Sequence, residues 1–125
     1  MQTYLVVFLG AGLGGALRHG VNLASAHLWG TAFPFGTLAV NVIGGIAMGA
    51  IGGYFAFFGD ASQHWRLFLT TGVLGGFTTF SAFSLDAVLL WQRGELGLAA
   101  LYVGVSLVGA IGGLLLGLWA VRAFA

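Results

Sequence analysis

Leu67-Phe68-Leu69-Thr70-Thr71-Gly72-Val73-Leu74-Gly75-Gly76-Phe77-Thr78-Thr79-Phe80-Ser81-Ala82-Phe83-Ser84-Leu85 carries no charged side chain and lies between Trp65 and Trp91. The two tryptophans are 26 residues apart, about 39 Å of helix at ~1.5 Å per residue. That length matches a bilayer's hydrocarbon core plus part of both interfaces, where amphipathic indole rings sit. The stretch therefore reads as a membrane span. It is also an unusual one, because a Gly-Gly pair followed by two β-branched threonines is a poor helix former. Gly75 is ten residues from Trp65 and Thr79 is fourteen, which predicts a break near the midplane. Broken helices at that depth expose backbone carbonyls and amides as ion ligands. A cage of carbonyl oxygens suits a hard cation. The competing reading is a continuous helix with a glycine groove for packing.

Working outward, Trp29, Trp91 and Trp119 mark further span ends, and charge-free runs also cover Met1–Leu17 and His19–Gly59. Charged residues are only 6% of the 125 positions, against about 25% in a soluble domain, so no wettable surface is available. The chain reads as a single all-α integral membrane domain with four transmembrane helices, near 3–26, 34–58, 65–91 and 96–121. Pro34 suits the first turn of the second helix. Asp60 or Ser62 suits the N-cap of the third, and Gly94 a left-handed turn before the fourth. Gly10/Gly14, Gly45/Gly49/Gly53 and Gly109/Gly113/Gly117 form small-xxx-small ladders for close helix packing. The first apolar run lacks a basic leader, so no removable signal peptide is expected. Alternating polarity is absent, which argues against a β-barrel.

Net charge is +1 from scattered arginines, which gives no nucleic-acid footprint. Cysteine is absent, so disulfides and thiolate metal sites are excluded. The arginines score two against two under the positive-inside rule: Arg66 and Arg122 on one side, Arg93 and Arg18 on the other. Two readings stand, dual insertion giving an antiparallel homodimer or a fixed topology set by subtler cues. A chain this short needs a second subunit to enclose a pathway.

Polar groups inside spans mark function or helix contacts. Asn41 is either interhelical glue or part of an ion path. Phe80 and Phe83 lie three apart, and phenyl edges carry partial positive charge that meets an anion edge-on. Ser81 and Ser84 form a neighbouring row of hydroxyl donors. Tyr102 and Ser106 make a polar stripe on the fourth span. Arg18 is a vestibule residue or a snorkelling anchor. The acids are Asp60, Asp86 and Glu95, with none inside the first two spans and Asp86 close to an interface. Histidines 19, 27 and 64 stand alone, so neither enzyme chemistry nor proton-coupled exchange is served. A glycine-rich phosphate loop followed by lysine is absent as well, so ATP-driven pumping has no support.

Gly15-Ala16-Leu17-Arg18, Gly36-Thr37-Leu38-Ala39-Val40-Asn41-Val42-Ile43-Gly44 and Gly72-Val73-Leu74-Gly75-Gly76-Phe77-Thr78-Thr79-Phe80-Ser81 resemble the Fluc/CrcB fluoride channels. The resemblance covers essentially the whole chain. It implies a dual-topology, antiparallel homodimer in the bacterial inner membrane, with two fluoride pathways and a central sodium ion that is not transported. It implies sodium held by the backbone carbonyls of Gly75 and Thr78 from both subunits. Pore phenylalanines map to Phe80 and Phe83, and polar pathway residues to Asn41, Ser81, Ser84, Tyr102 and Ser106. Arg18 maps to the vestibule. The family often has threonine where this chain has Ala82, which implies an altered route or one using Ser81 and Ser84. The expected function is passive, selective fluoride export. The alternatives are a small proton-coupled antiporter of the four-span type and an assembly subunit of a larger membrane complex.

Overall fold

A computed structural model of the chain describes residues 1–59 and 62–124. The described residues form helices and connections: α1 (Gln2–Trp29), α2 (Phe35–Phe58), α3 (Gln63–Leu67), a π-helical segment (Phe68–Leu74), α4 (Gly75–Phe77), α5 (Ser81–Gln92) and α6 (Leu96–Ala123). Gln2–Trp29, Phe35–Phe58, Gln63–Gln92 and Leu96–Ala123 are each long and apolar enough to cross a membrane. Mean hydropathy is +1.03, and large apolar side chains such as Phe8, Leu28, Val108, Leu115 and Trp119 stand exposed. In water such a surface would aggregate; in lipid it is the wetted one. This is a multi-pass membrane protein.

Local signals account for the connections. Gly94 adopts φ +79° between α5 and α6, a conformation that costs a side-chain-bearing residue about 1–2 kcal/mol. Ser62 caps α3, its hydroxyl accepting from the Trp65 amide at 3.4 Å; Asp60, the other cap candidate, lies outside the described residues. Pro34 stands one residue earlier than its expected place inside the first turn. It is the N-cap of α2, and its carbonyl takes the Leu38 amide at 3.2 Å.

α2 packs along α6, while α1 packs along the π-helical segment and α4. The glycine ladders make both contacts. A Cβ on Gly14 would overlap the Val73 carbonyl oxygen and lie 2.8 Å from the Phe77 amide nitrogen. Gly49 backs onto the Leu114 carbonyl and Gly117 onto that of Ile46. These are approaches of backbone to backbone, the means by which membrane helices associate without a hydrophobic driving force. Gly12, by contrast, has nothing within 4 Å of an added Cβ. Gly14→Leu should therefore cost at least about 1–3 kcal/mol of stability. The check is thermal unfolding in detergent: a lowered midpoint for Gly14→Leu, none for Gly12→Ala. Equal midpoints would contradict the packing.

The third span is the irregular one. Its π-helical turn at Phe68–Leu74 was not anticipated, although Thr70-Thr71-Gly72 is weak helix-forming sequence. Gly10 lies directly on it, a Cβ there meeting the Phe68 oxygen at 2.7 Å and Gly72 Cα at 2.9 Å. Helix then stops at Phe77, Thr78 turns extended (φ −84°, ψ 158°), and helix resumes at Ser81.

Candidate functional site

The interruption after Phe77 strands backbone groups that an unbroken helix would pair, and side chains from other helices collect them. Asn41 on α2 supplies both halves of an amide pairing. Its Nδ2 donates to the Thr79 carbonyl at 3.0 Å and its Oδ1 accepts the Thr79 amide at 2.9 Å. Arg18 on α1 donates from Nε to the Gly76 carbonyl at 3.2 Å, placing a cation at a helix C-terminus where the dipole favours it. Thr78 donates its amide and its hydroxyl to the one Leu74 carbonyl, at 2.9 and 2.8 Å. Thr79 Oγ1, one residue before the N-cap Phe80, accepts the Ala82 amide at 3.1 Å and so pairs one of the free amides in the first turn of α5. The non-helical turn is thus held by Asn41, Arg18 and Thr79 together. Gly44 leaves room for it, since a Cβ there would overlap Thr78 Cγ2.

Beside this turn opens a cleft of 440 Å³ between α2, the third span and α6. Asn41, Thr79, Phe80, Phe83 and Ser106 line it, with apolar residues of α6 as the far wall. Phe80 is 75% exposed in the single chain, whereas Phe83 is buried. Their ring centroids are 5.6 Å apart, and Phe83 packs on the buried ring of Tyr102 at 5.2 Å. Ser106 is 4% exposed and its hydroxyl has no hydrogen-bond partner among the described residues. A buried hydroxyl left unpaired costs about 1–3 kcal/mol, so a polar occupant of the cleft is favoured. Its supply of side-chain polar atoms is amide and hydroxyl, with no carboxylate on the walls among the described residues.

Of the seven expected pathway residues, Asn41, Phe80, Phe83 and Ser106 line one cleft, whereas Ser81, Ser84 and Tyr102 do not; Thr78 lines it too, and Arg18 and Gly75 lie outside. Ser84 donates its hydroxyl to the Phe80 carbonyl at 2.9 Å. Ser81 is exposed, its Oγ 3.4 Å from Thr79 Oγ1. Tyr102 is fully buried behind Phe83 and donates to Asp86 Oδ2 at 3.2 Å. Asp86, placed near an interface by sequence, is therefore tied to the interior through this bond. Thr79, read from sequence only as marking the break, was not counted among the pathway residues; here it pairs with Asn41 and lines the cleft.

The family model described as "CrcB-like protein, Camphor Resistance (CrcB)" matches residues 5–118. A protein of Rhodopseudomonas palustris (strain BisB5) called "Fluoride-specific ion channel FluC" is 61% identical over 98% of this chain and 98% of its own length. "Fluoride-specific ion channel FluC 2" of Nitrobacter hamburgensis is 60% identical, over 97% of this chain and 98% of that one. The protein of the first of these names from Methylobacterium nodulans is 58% identical, over 99% of both. Matched by the family model over most of its length and by these relatives from end to end, the chain belongs to the CrcB family.

Proposed function

We propose that the chain is a fluoride-selective channel, not an enzyme, that lets cytoplasmic fluoride leave passively across a bacterial inner membrane. The observation that carries the reading is the cleft at the third-span turn. An unpartnered buried hydroxyl (Ser106), an amide (Asn41) and an exposed phenyl ring (Phe80) converge there, with no opposing carboxylate among the described residues. Such a surface favours a small, strongly hydrogen-bonding anion. The names of the relatives point to the same ion. An inside-negative potential would drive one anion outward by ~2.3 kcal/mol per 100 mV. A proton-coupled antiporter needs an available carboxylate in its path; α1 and α2 have none and Asp86 is engaged by Tyr102.

One chain leaves Phe80 and the α6 wall uncovered, so the pathway is completed by a second copy. The balanced arginines favour an antiparallel pair with a two-fold axis in the membrane plane. C-terminal reporter fusions should then signal from both sides of the membrane; signal from one side alone would rule the arrangement out. Asn41, Phe80, Phe83 and Ser106 would form the path, Ser81 would supply a further hydroxyl in place of the one absent at Ala82, and Ser84, Tyr102 and Arg18 would support it from behind.

A structural sodium ion between the subunits fits the residues present. Thr78 ends the helix, so the last-turn carbonyls lose their ladder donors; Arg18 takes that of Gly76, and Gly75 lies exposed. The oxygens of Gly75 and Thr78 from both copies would hold the ion, as helix C-terminal ends do elsewhere, and it would fix the turn. The purified protein should then melt at a higher temperature in sodium than in potassium salts; equal melting would exclude the site.

The reading as a whole is tested in cells. Expression of this chain should restore growth in fluoride to a bacterium stripped of its own fluoride export. Continued sensitivity despite membrane-inserted protein would refute it.

A further inference from the structure

The end of the bundle where α1 joins α2 and α5 joins α6 holds a second polar region, outside the cleft. A crevice of 270 Å³ there is lined by Thr31, Asp86, Gln92 and Arg93 among its walls. It adjoins another of 290 Å³ through shared Thr31, Pro34 and Asp86. Asp86 accepts from Tyr102, Tyr102 packs on Phe83, and Phe83 lines the cleft. Side chains in contact therefore run from this mouth to the proposed anion path.

Arg93 is held at the rim of the mouth. One Nη2 donates to the Ala32 carbonyl at 2.9 Å and lies 3.8 Å from Glu95 Oε2, with both side chains about half exposed (49% and 45%). The Ala32 bond spans 61 positions of sequence and ties the α1–α2 connection to the α5–α6 turn. Two carboxylates, Asp86 and Glu95, share this end with the one guanidinium. An anion approaching this end thus meets repulsion from the two carboxylates and attraction from the guanidinium.

We propose that Arg93 sets the rate at which anions enter this mouth, fixed there by Ala32 and opposed by Glu95. Rings of basic side chains do this in anion pores generally, and a cation in a cleft raises local anion concentration and entry rate. The inference rests on the channel reading above and adds to it the residue that collects the ion.

Fluoride currents in planar bilayers test it, with fluoride fixed and an impermeant background salt varied. The Debye length falls from ~30 Å at 0.01 M to ~3 Å at 1 M. Arg93→Gln should lower the current about two- to fivefold at low salt, and Glu95→Gln should raise it by a similar factor. Both differences should vanish in 1 M salt, and Arg93→Lys should keep most of the wild-type current. A deficit in Arg93→Gln that persists at high salt would show a structural role only and overturn the proposal. So would currents equal to wild type throughout. Absence of current from the unsubstituted protein would instead overturn the channel reading, and this inference with it.

Discussion

Asn41→Ala should reduce fluoride flux by roughly 30- to 150-fold while the protein still inserts. The substitution removes the partners of both backbone polar groups of one residue, the carbonyl and the amide of Thr79. In hydrocarbon neither group finds water, and leaving such groups unpaired costs about 1–3 kcal/mol in proteins. Taking ~2–3 kcal/mol against the non-helical turn, its weight relative to recoiled alternatives falls by that factor. Asn41→Asp is the informative companion. It keeps an acceptor for the Thr79 amide but sets a carboxylate oxygen against the Thr79 carbonyl, in the proposed anion path, so it should not rescue flux. Flux from either variant within a few-fold of wild type, measured on protein of unchanged melting temperature, would show that the pairing is incidental.

Phe80→Ile should lower fluoride flux about tenfold with little change in stability. The ring is 75% exposed in the single chain, so isoleucine keeps apolar bulk and removes the positive phenyl edge. Aromatic edge interactions are worth about 0.5–1.5 kcal/mol, or ~2- to 12-fold, and the apolar walls of the cleft favour the upper end. Phe83→Ile should behave differently, because that ring is packed on Tyr102 in the core. It should lose thermal stability as well as flux, by about 1–3 kcal/mol. If Phe80→Ile conducts as wild type, the phenyl edge has no part in recognition.

The four helices were legible because the bilayer allows few backbone solutions and the sequence has charge-free runs of the required length. The glycine ladders were legible too: at Gly14, Gly49 and Gly117 a helix backbone lies where a side chain would be. The partners at the third-span turn were not. Asn41 stood between two readings on sequence alone. Its two hydrogen bonds to Thr79 join residues 38 positions apart, a tertiary pairing that no spacing encodes. Arg18 read as a vestibule residue or an anchor, and its bond to Gly76 spans 58 positions. The π-helical turn was also invisible: Thr70-Thr71-Gly72 is merely weak helix-forming sequence, and the close approach of Gly10 on α1 to Gly72 is a tertiary contact. Tyr102 and Ser106 looked alike as a polar stripe, yet one is bonded to Asp86 and the other has no partner among the described residues. That difference, visible only once the helices are packed, separates a residue packed behind the cleft from one that lines it.

Efflux from liposomes loaded with fluoride and containing the purified protein, read with a fluoride electrode and repeated with chloride, is the most direct test. Rapid fluoride release without matching chloride release is the expected result. Release of both ions at similar rates, or of neither from well-folded protein, would contradict a fluoride-selective channel.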